Sequence, residues 1–183
     1  EHMGLMAFAI GLGPAGIIPA VMHMPGHALL KSSLFVGAGE IFLMYKTTDS
    51  APVIDVWKRL PKTALLFLLT LLMLLAVPPS AVFVSEMIMI GFGLRDYLLP
   101  TLLVVVSLTV AFVAMTRHIY AMFFNPALTT ASAGHMPAEK WNVTHVIMII
   151  QLIAAVALGI FYLTPKGLEL MVSIAQSLNS GLL

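Results

Sequence analysis

Three side chains that can exchange protons, His23, His27 and Lys31, follow one another at four-residue intervals within an apolar stretch. This spacing places them on one face of a helix, each about one turn from the next. Because an ionisable group inside a bilayer costs roughly 2.5–3.5 kcal/mol on insertion scales, a simple membrane anchor avoids such residues. Imidazoles titrate near neutral pH, and an amine can hold or release a proton as nearby charges change. The column therefore predicts a proton path.

Two other interpretations of this column stay open. Lys31 could pair with a carboxylate and only fix helix packing. The two histidines could instead bind a metal ion, but no third ligand of suitable spacing is evident, so we expect no metal site.

A second candidate is Glu86, which follows Pro78-Pro79 in the run Val-Pro-Pro-Ser-Ala-Val-Phe-Val-Ser-Glu. Two consecutive prolines break a helix, and broken backbone at membrane depth is tolerated where it is buried or lines a wet cavity. An acid with apolar neighbours beyond such a break suits an intramembrane proton acceptor. The alternative is a carboxylate at a helix end that reaches the membrane interface.

The composition assigns the chain to a bilayer. Of its 183 residues, 60% are hydrophobic and 9% are charged, whereas soluble domains carry about 25% charged residues. Residues 63–85, 97–116 and 141–165 contain no Asp, Glu, Lys or Arg and are long enough to span. The net charge of +1 gives no reason to expect nucleic-acid binding, and the absence of cysteine excludes cysteine-ligated iron–sulfur clusters in this chain.

The predicted fold is all-α: a polytopic transmembrane bundle of about five spans, one broken at Pro78-Pro79 and one kinked at Pro25-Gly26. The predicted helices cover 1–13, 14–45, 61–77 with its continuation to about 92, 99–124, 141–163, and an amphipathic tail from 165. If each long segment crosses once, the positive-inside rule makes the side with Lys46 and Lys62 cytoplasmic.

Three further polar residues are candidates for proton uptake or accessory roles. Glu40 lies nine residues after Lys31, on the opposite face of its helix. Arg117 and His118 lie late in their segment beside aromatic residues, where interface anchoring is the favoured interpretation. The roles of His2 and His145 are left open.

Several short pieces of the sequence, in order, resemble the antiporter-like membrane subunits of respiratory complex I, the Mrp sodium/proton antiporters and the group 4 membrane hydrogenases. The pieces are Glu1-His2-Met3-Gly4, His23-x3-His27-Ala-Leu-Leu-Lys31-Ser, Trp57-Lys-Arg-Leu-Pro61, and Pro78-Pro79 with Phe83-Val-Ser85-Glu86. The pairing of the first and last pieces is most similar to the hydrogenase-4 component F type. The resemblance covers about residues 1–125.

The resemblance implies that residues 1–124 are the second of two half-channels and that 125–183 add a transmembrane helix and an amphipathic tail. Lys31 would be the central-axis lysine, Glu86 the terminal residue on the broken helix, and His23 and His27 the bridging histidines. Another polypeptide or a preceding segment would supply the first half-channel. The residues Pro25-Gly26, which lie between the two histidines, depart from the family pattern.

The leading expectation is thus a proton- or sodium-translocating subunit of a redox-driven complex in a prokaryotic cytoplasmic (inner) membrane. It would hold no cofactor itself, with iron–sulfur and nickel or other redox centres in partner subunits. Its partners would be the lipid bilayer, other membrane subunits and soluble redox subunits. The alternatives are an Mrp-type antiporter subunit, a haem-binding membrane anchor and a purely structural anchor.

Overall fold

The computed structural model describes residues 2–125 and 139–180, and every regular element in these two ranges is a helix. In chain order the helices are α1 (His2–Gly11), α2 (Pro14–Tyr45), α3 (Val56–Arg59), α4 (Pro61–Leu74), α5 (Ala81–Asp96), α6 (Leu98–Phe124), α7 (Val143–Tyr162) and α8 (Pro165–Ser180). The predicted helical membrane bundle is confirmed.

Three of the described helices, α2, α6 and α7, are long and apolar enough to cross a membrane. Helices α1 and α4 are also apolar but shorter. Most of α6 is exposed on this chain, and its buried residues are Thr101, Ile119 and Phe123. Its apolar surface is therefore available to lipid or to neighbouring subunits.

Helix α2 is the centre of the bundle. It packs against α1, α4, α5, α7 and α8. Gly26 lets α2 approach α5 closely, because a Cβ atom there would lie 2.8 Å from the Cβ of Ala81. The Tyr162 hydroxyl at the end of α7 donates a hydrogen bond to the Met22 carbonyl, with the two oxygens 3.0 Å apart. Close backbone contact and interhelical hydrogen bonds are the usual means of association between helices in lipid.

The predicted helix break at Pro78-Pro79 is confirmed. Helix α4 ends at Leu74, three residues before the predicted end, and α5 begins at Ala81. Ser80 caps α5 by accepting a hydrogen bond from the backbone N–H of Phe83 at 3.1 Å. Helix α7 covers the break, since a Cβ atom at Gly159 would lie 2.4 Å from the carbonyl oxygen of Pro79.

The residues of the expected kink, Pro25-Gly26, lie within a single helix. Both residues lie inside α2, which is continuous from Pro14 to Tyr45. Proline removes one backbone donor, yet packing of neighbouring helices allows a membrane helix to continue through it. His23 and His27 therefore remain on one continuous helix, as the spacing requires.

The connection between α2 and α4 contains a short helix, α3, that the sequence did not predict. The predicted amphipathic tail is helix α8, where Met171 is buried and Leu168 is half exposed. Residues 126–138, which follow the expected domain boundary at 124–125, lie outside the described ranges.

Candidate functional site

Three histidines from two helices meet inside the bundle. Helix α1 contributes His2, and α2 contributes His23 and His27. The Nδ1 atom of His2 lies 3.1 Å from the Nε2 atom of His23. The ring centroids of His2 and His27 are 4.4 Å apart, and those of His23 and His27 are 5.7 Å apart. The three imidazoles therefore form one cluster, the histidine triad.

The hydrogen bonds around His23 fix a consistent direction for its protons. The Ser85 hydroxyl on α5 donates to a backbone carbonyl, that of Val82 at 2.9 Å or Ala81 at 3.1 Å. With the hydroxyl in this orientation, Ser85 Oγ accepts from His23 Nδ1 at 2.9 Å and His23 Nε2 accepts from His2 Nδ1. The result is a directed chain from His2 through His23 to Ser85.

Glu86 lies beside the first member of this chain. Its Oε1 atom is 3.7 Å from His2 Nδ1, and its side chain is 5% exposed. Helix α5 begins five residues earlier, so the break at Pro78-Pro79 brings the carboxylate into the interior beside α1. A small cavity of about 30 Å³ adjoins His2 and Glu86 and is otherwise lined by Leu74, Leu75, Leu108 and Phe112. A space of this size can hold one water molecule.

A larger cavity of about 370 Å³ connects the triad with Lys31. His2, His27 and Lys31 line it together with apolar side chains of α2 and α4 and Met115 of α6. Proton transfer over such a gap requires water, and the polar groups at its wall could order water there. Two members of the column on α2, His27 and Lys31, therefore line this cavity.

Lys31 is not enclosed by the described helices, although an ionisable group at membrane depth needs protein or water around it. Its side chain is exposed on the described part of the chain, whereas His23 is fully buried and His27 is half-buried. Lys31 lies at the edge of the cavity between α2, α4 and Met115 of α6, and few residues of α6 are buried, so this side of α2 stays open. Any enclosure of Lys31 has to come from outside the described residues.

The accessory candidates lie apart from the triad. Glu40 accepts a hydrogen bond from the side-chain amide of Asn142 at 2.9 Å, near the end of α2. Arg117 and His118 are exposed on α6. Within the described ranges, the hydrogen bonds of His23 are to His2 and Ser85 and involve none of these three residues.

A second polar cluster, the Glu139 cluster, joins the start of α4 to the segment before α7. The carboxylate of Glu139 accepts hydrogen bonds from the backbone N–H groups of Lys62 (2.6 Å) and Thr63 (3.1 Å). The Thr63 hydroxyl donates to it at 2.6 Å. His145 Nδ1 accepts from the backbone of Asn142, so its Nε2 carries the proton and donates to Glu139 at 3.0 Å. The anion caps the positive end of α4.

These contacts explain the pKa of Glu139, which lies outside the spanning helices. Burial alone would raise the pKa of this carboxyl, but the hydrogen bonds from Thr63, Lys62 and His145 favour the charged form and lower its pKa below the ordinary value. Glu139 is therefore ionised in the folded protein at neutral pH.

Sequence reasoning missed four members of these clusters. His2 and His145 were left without a role, and Ser85 and Glu139 were not considered as site residues. Their partners are distant in sequence: His2 and His23 are separated by 21 residues, and Lys62 and Glu139 by 77. The family-like pieces containing His2 and Ser85 were the available signal, while nothing local marked Glu139.

Comparison with protein families gives a match over residues 1–113 to the family described as "NADH:quinone oxidoreductase/Mrp antiporter, TM". The matched range is more than half of the chain and includes the histidine triad, Lys31 and Glu86. The chain belongs to this family. It is accordingly an integral membrane protein of the antiporter-like type.

Individual relatives come from both respiratory and hydrogenase complexes. NADH-quinone oxidoreductase subunit L of Campylobacter jejuni is 31% identical over 165 residues, which are 88% of this chain and 26% of that protein. Its counterpart in Mycobacterium tuberculosis is 37% identical over 87 residues, 47% of this chain and 14% of the relative. A hydrogenase-4 component F homolog of Methylacidiphilum infernorum is 28% identical over 128 residues, 69% of this chain and 27% of the relative.

These matches confirm the resemblance to the complex I, Mrp antiporter and group 4 hydrogenase subunits. In each of them the chain spans at most 27% of the relative's length. The activities of these longer proteins therefore do not carry over directly to this chain.

Proposed function

We propose that this chain is an ion-translocating membrane subunit of a redox-driven complex and moves protons along an axis of Glu86, the histidine triad and Lys31. The observation that carries the proposal is the contact of His2 with both His23 and Glu86 beside a cavity that reaches Lys31. Family membership supports the same role. No redox step occurs in this chain; reduction in a partner subunit supplies the driving force.

The proposed transfer begins at Lys31 and crosses the larger cavity to the triad. A proton released by Lys31 reaches His27 through water in the cavity and passes to His2, whose ring is in contact with that of His27. Glu86 Oε1, 3.7 Å from His2 Nδ1, then accepts the proton. The contacts of His2 with His23 and of His23 with Ser85 orient the His2 ring beside Glu86.

Polar groups between α2, α4 and α7 support an uptake route from the end of the bundle that contains the Glu139 cluster. Ser33 and Thr70 oxygens are 3.3 Å apart, and both side chains are fully buried. Gln151 of α7 donates to Ser32 at 2.8 Å, next to Lys31 in sequence. Basic residues concentrate at the same end, so we assign it to the cytoplasmic side of a prokaryotic inner membrane.

A second candidate is a subunit of an Mrp-type sodium/proton antiporter, because the matched family includes these antiporters by description. The same axis would then be driven by an ion gradient. Sodium would be the coupling ion at one or more steps, and no iron–sulfur or nickel partner would be needed.

The other two alternatives have less support. In a bis-histidine haem the iron lies between two imidazoles. The ring centroids of His2 and His27 are only 4.4 Å apart, as for rings in direct contact, which leaves no room for a haem between them. A purely structural anchor does not account for a carboxylate and three imidazoles gathered among apolar helices, where each costs free energy.

The test is proton translocation in inverted membrane vesicles from cells carrying Lys31→Met, measured with a pH-sensitive dye. Vesicles receive hydrogen, formate or NADH in turn, or an imposed sodium gradient. We expect translocation to fall at least tenfold, because Met keeps the length of the side chain and removes the titratable amine. The matched control is Lys166→Met, an exposed lysine of α8.

Each outcome distinguishes the candidates. Loss with a reductant supports the redox-driven subunit, and loss only with the sodium gradient supports the antiporter. If Lys31→Met translocates protons at the wild-type rate and the chain is present at its normal level, a structural anchor is the remaining candidate.

A further inference from the structure

We propose that the histidine triad is a binding site for a divalent transition-metal ion of the Zn²⁺ type, and that occupancy blocks the proton axis. The blocking effect rests on the proposed function, whereas binding stands on geometry alone. One ligand nitrogen from each of His2, His23 and His27 can be chosen so that all three lie within 4.8 Å of one another.

The separations between the three histidine nitrogens can be compared with those of three ligands on one ion. Zinc binds imidazole nitrogen at about 2.0–2.1 Å, which puts two tetrahedral ligands on the order of 3.3 Å apart. His2 Nδ1 and His23 Nε2 are already 3.1 Å apart. The chosen nitrogen of the half-buried His27 lies within 4.8 Å of the other two, so its ring would have to move closer to them when an ion binds.

His27 supplies an independent sign that a ligand is accommodated here. Its Nδ1 atom is buried and has no hydrogen-bond partner among the described residues. Buried polar atoms of this kind are rare, because the missing hydrogen bond costs free energy. A metal ion at the centre of the triad, or a water on that ion, would satisfy one nitrogen of the ring.

The surroundings have the second layer of contacts that metal-binding histidines require. A ligating histidine usually donates its other ring N–H to an oxygen that fixes its orientation. His23 does this through Nδ1 to Ser85 Oγ at 2.9 Å, with Nε2 directed to the triad. The Glu86 carboxylate, 3.7 Å from His2 Nδ1, places negative charge beside the ion.

Imidazole ligands with an adjacent carboxylate favour zinc and its neighbours over calcium or magnesium, which prefer oxygen ligands. Three protein ligands leave a fourth position open to water. An ion there would occupy the nitrogens that the proton axis uses, so translocation stops when the metal is bound.

The experiment titrates the full chain in lipid nanodiscs with Zn²⁺ against a chromophoric chelator, and with Co²⁺ to record its visible d–d absorption. The protein is purified without a polyhistidine tag. We expect one tightly bound ion per chain and a tetrahedral Co²⁺ spectrum. His2→Ala and His27→Ala, which change half-buried side chains, should each weaken binding at least tenfold. Ser85→Ala, which removes only the orienting hydroxyl, should weaken it about 10–100-fold.

The matched control is His118→Ala, an exposed histidine of α6 that should leave affinity unchanged. Equal affinity in wild type, His2→Ala and His27→Ala, or no binding by the wild type, would overturn the proposed site. The binding result is independent of the proposed function. If Zn²⁺ binds but does not inhibit translocation, only the blocking effect is rejected. The Lys31→Met experiment is done without added metal, so its failure would reject the proposed function and not the metal site.

Discussion

The Glu139 carboxylate shows what one buried charge requires at the scale of a residue. Its side chain is 5% exposed, and its four hydrogen bonds come from two backbone N–H groups, one hydroxyl and one imidazole. Hydrogen bonds to a charged group each contribute about 1.5–3 kcal/mol, so the desolvated anion is kept in place. The carboxylate joins α4 to the segment before α7, and both helices contact α2.

Replacement of this residue tests the assignment. Glu139→Gln keeps the size but loses the charge, and we expect it to lower the free energy of unfolding by about 2 kcal/mol at neutral pH. The measurement is thermal or denaturant unfolding of the chain in detergent. The exposed Glu169→Gln on α8 is the control and should change stability little.

The pH dependence has a definite sign. Because the pKa of Glu139 is lower in the folded than in the unfolded chain, its contribution is complete above the unfolded pKa and is lost as pH falls through the folded pKa. Acidification should thus destabilise the wild type more than Glu139→Gln. Parallel stability curves of the two proteins in acid would refute the assignment.

At the scale of elements, helix α2 and the broken pair α4 and α5 position the proton axis. The sequence predicted these elements well because their signals are local: Pro14 begins α2, Pro61 begins α4, and Pro78-Pro79 separates α4 from α5. The sequence predicted only part of the site around the histidine triad. His23 and His27 share a helix face by spacing, whereas His2 and Glu86 reach them through the packing of α1 and α5, which spacing does not encode.

The exposure of Lys31 could not be predicted from the sequence for the same reason. Its position on the α2 face follows from the sequence, but its burial depends on which helices cover that face. Glu139 was missed because its partners at Lys62 and Thr63 belong to a distant helix. Tertiary contacts between distant segments therefore account for most of what the sequence did not predict.

The close fit of α7 over the helix break gives a prediction at this scale. Gly159→Ala would place a Cβ atom 2.4 Å from the Pro79 carbonyl oxygen, a backbone atom that cannot move without shifting the break. We expect a loss of about 1–3 kcal/mol in the free energy of unfolding, as for overpacked interiors. The measurement is the unfolding midpoint of the chain in detergent.

Gly39→Ala in α2 is the matched control, since nothing lies within 4 Å of its added Cβ. Alanine has the better helix propensity, so this control should keep or raise stability. Equal stability changes at Gly39 and Gly159 would contradict the tight packing of α7 on the break.

At the scale of the whole molecule, the exposed faces agree with the proposed role as one subunit of a larger complex. Lys31 and most of α6 are uncovered on this chain, and the chain spans at most 27% of the relatives described above. A lysine at membrane depth is stable when a protein or water surrounds it, so a neighbouring half-channel would complete the cavity beside Lys31. The redox centres of the proposed complex would be in further subunits.

The most direct test of the proton axis is the translocation rate of Glu86→Gln in the membrane vesicles described above, with Glu169→Gln as the matched control. Gln keeps the shape of the side chain beside His2 and cannot carry the proton. We predict that Glu86→Gln loses at least nine-tenths of proton translocation while the chain remains in the membrane at its normal level and Glu169→Gln behaves as wild type. Undiminished translocation by Glu86→Gln would contradict the proposed axis.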